Sequence, residues 1–72
     1  MERFFRYSLE HDRPIRLMYM DEQGQLRQVN AVVEKREQGV LSLYLLRPIR
    51  RIEIREADVL SCDYARNDEG LD

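Results

Sequence analysis

The sequence predicts a mainly β domain in which one short N-terminal helix precedes a five-stranded, strongly bent antiparallel sheet that closes into a small barrel. Three observations predict it. Apolar residues recur at helical spacing only in the first eleven positions. From Ile15 onward they alternate with polar ones at the two-residue period of a strand. The alternating runs are joined by short turns, so that consecutive strands pair as hairpins. Five such strands bury an apolar face best by curling into a barrel that removes most sheet edges, with the helix over an open end. A flat hairpin stack is the alternative. At 72 residues there is room for one domain, and a chain of this length buries only about 60% of the surface its unfolded form exposes, so the core must be compact.

In the helix, Glu2 to His11, the apolar residues are Phe4, Phe5 and Leu9 with Tyr7 between, and Phe5 and Leu9 form an i,i+4 pair. Asp12-Arg13-Pro14 ends it, because proline disfavours helical geometry in its predecessor. In the first strand Ile15, Leu17 and Tyr19 alternate with Arg16, Met18 and Met20, and Asp21-Glu22-Gln23-Gly24 supplies a polar turn. The second strand, Leu26 to Arg36, is long enough to need bending; Val29, Ala31 and Val33 face one way, and Gln28, Asn30, Val32 and Glu34 the other. After the Gln38-Gly39 turn, Val40 to Leu46 is apolar on both faces, as a central strand is. Arg47-Pro48 breaks it, Ile52 and Ile54 set the inward face of a fourth strand, and Val59 to Tyr64 forms a fifth. The domain spans residues 1–64, and 65–72 read as an acidic, disordered tail with little to pack.

Charge is placed unevenly. The chain carries 11 arginines against one lysine, Lys35, and arginine presents a planar five-donor fork suited to phosphates, carboxylates and aromatic faces. Arg47, Arg50, Arg51 and Arg55 stand within nine residues, giving residues 47–55 a local charge of +3, whereas residues 56–72 carry −5. This patch is the best functional lead: guanidinium forks hold an anion while a tyrosine face stacks a base. The competing reading makes the arginines solvated partners of Glu34, Glu37 and Asp58 that stabilise little and keep an edge strand from aggregating. A whole-chain pI near 5.4 is a poor match to a dedicated nucleic-acid binder.

Other chemistries find little support. Cys62 has Asp63 beside it rather than an activating base, so it reads as a small apolar side chain between Leu60 and Tyr64. His11 is the only histidine, which leaves no zinc-like ligand set, and it reads as a charge partner of the helix C-terminus. Asp21-Glu22 and Asp68-Glu69 lie in a turn and the tail, without the burial that general acid or base work needs. No phosphate loop or nucleophile elbow is present, so catalysis and a cofactor are not expected. With no apolar run near the roughly 18 residues of a spanning helix and no secretory leader, a cytoplasmic location without membrane contact is expected.

Leu9 with Arg13-Pro14-Ile15-Arg16-Leu17-Met18-Tyr19, Gly24 in the first turn, Leu43-Tyr44-Leu45, and Arg51-Ile52-Glu53-Ile54 with Val59-Leu60-Ser61 together resemble the WYL domain, a bacterial module with an Sm-like β-barrel. Leu43 stands where the family's naming signature has tryptophan, and the resemblance covers about residues 5–64. It implies a sensor of nucleotides, nucleic acid or other negatively charged ligands that works with a transcription regulator. The family's helix-turn-helix segment has no counterpart in the 72 residues, so a stand-alone domain is expected. The resemblance points to Tyr44, Arg47 and Arg51, with Arg16 next; Arg50 joins them from the patch itself. The YolD-like proteins are similar in strand plan and are the second family of choice.

Two functional expectations follow. The first is a binding module that recognises a nucleotide or single-stranded nucleic acid through Arg16, Tyr44, Arg47, Arg50 and Arg51. The second is a non-enzymatic interaction module that assembles with itself or with a protein partner. Met18 and Met20 lie opposite Tyr19, on a face that the helix, or else another subunit, is expected to cover.

Overall fold

The structure, a computed structural model, describes residues 1–65. Helix α1 (Glu2–His11) leads into strands β1 (Ile15–Met20), β2 (Leu26–Glu37), β3 (Val40–Leu46), β4 (Ile49–Arg55) and β5 (Val59–Tyr64), with a single 3₁₀ turn, Glu56–Asp58, between the last two. The helix stops where Asp12 takes the left-handed conformation (φ 55°), which a short polar side chain tolerates, and its N–H is donated back to the Ser8 carbonyl. The β1–β2 turn is held by Asp21, whose carboxylate accepts the N–H groups of Gln23 and Gln25 and a 2.8 Å bond from Arg27 Nε.

All pairings are antiparallel and the strand order is β4-β3-β2-β1-β5. The expected closure into a barrel does not occur: β4 and β5 flank the sheet and do not pair with each other among the described residues. Two features explain the open seam. Helix α1 already packs Phe5 and Ser8 into the apolar inner face, and the gap beside β4 is lined by the acidic residues Asp21, Glu22, Glu53 and Asp58, which closure would have to desolvate.

The inner face carries the core: Ile15, Leu17 and Tyr19 of β1, Ala31 and Val33 of β2, Leu41, Leu43 and Leu45 of β3, Val59 of β5 and Phe5 of α1. Ile52, Ile54 and Cys62 pack against it. The helix contributes Phe5 and Ser8 to this core, and Leu9 stays 38% exposed, so the expected Phe5–Leu9 stripe is displaced by one residue. The reason is the Ser8 hydroxyl. It accepts the Val33 N–H at 2.8 Å and donates to the Arg13 carbonyl at 2.7 Å. Arg13 and Val33 continue the β1–β2 register, so Ser8 bridges the ladder where the two strands part. The helix therefore lies on the Leu17 face, and Met18 and Met20, expected beneath it, stay half-buried on the opposite, outer face.

The long second strand bends at a β-bulge, where the pairing with β3 shifts between Val33 and Lys35. The extra residue reverses the alternation beyond it. Arg36 comes to lie opposite the buried Leu41, while Lys35 stays exposed. A second irregularity inserts Leu60 between the β5 partners of Met18 and Tyr19, and leaves Leu60 53% exposed.

Candidate functional site

The β3–β4 hairpin carries most of the patch, and its register sorts the arginines onto two faces. Tyr44 lies opposite Arg51, whereas Arg50 lies opposite the core residue Leu45. Arg51 and Tyr44 therefore share the outer face, and Arg50 points to the inner one.

On the outer face the Arg51 guanidinium stands 5.0 Å from the Tyr44 ring centroid, within cation–π range. Its Nε and Nη2 donate to Glu34 at 2.9 and 3.4 Å. Glu34 is the extra residue of the β2 bulge, so the same irregularity that bends the strand aims this carboxylate across β3 at Arg51. Hydrogen bonding to Glu34 raises the Arg51 pKa further. The arginine side chain remains 70% exposed, so this is a solvated pair, open to exchange.

The other expected residues do not converge there. Arg16 is also on the outer face, but β2 separates it from Tyr44, and its Nη2 lies 3.8 Å from Asp63 of β5. Arg47 sits in the exposed β3–β4 turn. Arg50 lines a groove of about 450 Å³ between β4 and the end of β1 with its turn. Of Arg16, Tyr44, Arg47, Arg50 and Arg51, only Tyr44 and Arg51 are brought together in the described contacts. Arg55 pairs with Asp58 at 3.0 Å, which lowers the Asp58 pKa.

A denser charged cluster lies where no motif pointed. Arg36 donates from Nε and Nη2 to both oxygens of Glu56, at 2.8 and 2.9 Å, and from Nη1 to Glu2 at 2.8 Å. Its guanidinium lies 5.2 Å from the Phe5 ring centroid. It ties the start of α1 and the 3₁₀ turn to β2, and its hydrogen bonds hold the Glu56 and Glu2 carboxyls below their ordinary range. The sequence hides this cluster because only the bulge turns Arg36 inward. Ser8 was equally invisible, since a lone serine in a helix carries no positional signal.

Burial pushes the Cys62 thiol up to about 11, which makes it a poor nucleophile at neutral pH. His11 stands in the last helical turn with its ring 5.5 Å from Tyr7. No group of three or more metal-ligating side chains and no helix long and apolar enough to cross a membrane occurs among the described residues. Of the expected tail, 65–72, all but Ala65 lies outside them. In comparisons with known proteins, the chain matches no family model, no curated protein and no solved structure.

Proposed function

We propose that the chain is a WYL-like, non-enzymatic module of bacterial gene regulation that binds a nucleotide or single-stranded nucleic acid on its outer face. The observation that carries this reading is the Arg51 guanidinium over the Tyr44 ring on a face that the helix leaves uncovered. A base stacks on the tyrosine, and phosphate oxygens replace Glu34 at the fork, because an exposed ion pair holds Arg51 only weakly. Arg16 stands on the same outer face two strands away, Arg47 follows β3 in the exposed turn, and Arg50 faces away and takes no part.

The test is a nuclear magnetic resonance titration with a short single-stranded oligonucleotide and with mononucleotides at two salt concentrations. The expected result is shifts at Tyr44 and Arg51 that fade with salt, with binding weakened about tenfold in Tyr44→Ala. Unchanged affinity in both Tyr44→Ala and Arg51→Ala overturns the reading.

A second reading, self-association or a protein partner, is favoured by half-buried Met18 and Met20 beside Leu26, which is 56% exposed, on the same outer face. Sedimentation of Met18→Lys tests it; association equal to that of the wild type removes that surface.

A further inference from the structure

We propose that the free edge of β4, with the groove beside it, accepts an extended segment of another protein in which acidic and apolar residues alternate. β4 is the last strand of the sheet and pairs with β3 alone among the described residues, so alternate N–H and C=O groups along its other side are available for strand addition. Ile52 and Ile54, two residues apart on β4, line the groove, as do Tyr19 and Met20 at the end of β1. That spacing receives every second side chain of an added strand. The other row of β4 presents Arg51 and Arg55, whose pairs with Glu34 and Asp58 are exposed, and Arg50 makes no ion pair among the described residues.

Charge and burial select the occupant. A second copy of β4 would bring arginines against arginines. A second copy of β5 offers Leu60, which is 53% exposed, but no second free apolar side chain at the spacing of Ile52 and Ile54: Val59 is buried in its own core, Cys62 packs there too, and the Tyr64 ring lies 4.8 Å from Phe4 and 4.9 Å from Tyr7. The groove's lining carries four carboxylates, Asp21, Glu22, Glu53 and Asp58, against the two guanidinium groups of Arg50 and Arg55, a balance that disfavours acids pointing inward. The partner's acids therefore belong opposite Arg51 and Arg55, and its apolar residues inside.

This inference does not rest on the anion reading, and its probe contains no phosphate. The blocked peptide Glu-Val-Thr-Val-Glu matches β4 from Arg51 to Arg55 in either direction. Isotope-labelled protein is titrated with this peptide, with one version N-methylated at the valines, and with one N-methylated at the threonine and second glutamate. The expected outcome is amide shifts confined to Arg50–Arg55 and the groove, with one methylated version losing about tenfold or more and the other retained, because only alternate N–H groups face the sheet. Replacing both glutamates by lysine weakens binding. Absence of binding, equal binding of both methylated versions, or self-association in sedimentation that protects the β4 amides overturns the proposal.

Discussion

The two faces of the sheet use arginine in opposite ways. On the inner face Arg36 is three-quarters covered, forked onto Glu56, bonded to Glu2 and laid over Phe5, so that its charge fastens the helix and the 3₁₀ turn to the sheet. On the outer face Arg51 makes a similar set of contacts, one carboxylate and one aromatic ring, yet is 70% exposed. Similar chemistry yields a structural clamp where the arginine is mostly covered and an exchangeable ligand fork where it is not, because solvent screens the second pair and the first has partners on two other elements, α1 and the 3₁₀ turn. Burial, more than residue type, separates the fastening arginine from the available one.

Substitutions should widen that contrast, beginning with the buried side. Ser8→Ala leaves the Val33 N–H and the Arg13 carbonyl without their bridge in a fully buried position, and a loss of about 2–4 kcal/mol in urea unfolding is expected. Ser8→Thr, which keeps the hydroxyl, separates the hydrogen bonds from helix propensity. A loss below about 0.5 kcal/mol for Ser8→Ala would show that water takes over the bridge.

Acid should act on the clamp next. The Glu56 carboxyl has a folded-state pKa below its unfolded value, so its stabilising contribution is complete above the ordinary glutamate range and is lost as pH falls through and below that range. Chemical denaturation across that window is expected to show stability dropping in the wild type and a shallower drop in Glu56→Gln. Equal slopes in the two proteins would remove the clamp from the account of acid sensitivity. The smallest effect belongs to the outer face: Arg51→Ala should leave the melting temperature unchanged while weakening oligonucleotide binding. A clear fall in melting temperature would make Arg51 a second structural arginine.

Legibility followed the same division. The five strands were readable because apolar alternation is a backbone-level signal that survives without knowing the partners, as in Ile15, Leu17 and Tyr19 or in Leu41, Leu43 and Leu45. The arginine patch was readable as composition but not as a site: a run of arginines along a strand is split between faces by the pleat, which sent Arg50 to the groove and Arg51 to Tyr44. Closure is not readable because the pattern places the helix over an open end of a barrel, whereas its Phe5 and Ser8 pack into the inner face of a sheet that stays open.

By itself the sequence determined the order and type of the helix and the five strands, since local propensity, period-two patterning and turn chemistry act within a few residues of each other. Only the tertiary structure decided which face the helix covers, that the sheet stays open, and which arginines are fastened and which are available. Those outcomes hang on the bulge beside Glu34 and on the Ser8 hydroxyl, long-range contacts whose partners lie up to 34 residues apart, as Arg36 and Glu2 do. A one-residue insertion in a strand exchanges inside for outside over everything beyond it, and no local pattern announces where the chain will make it.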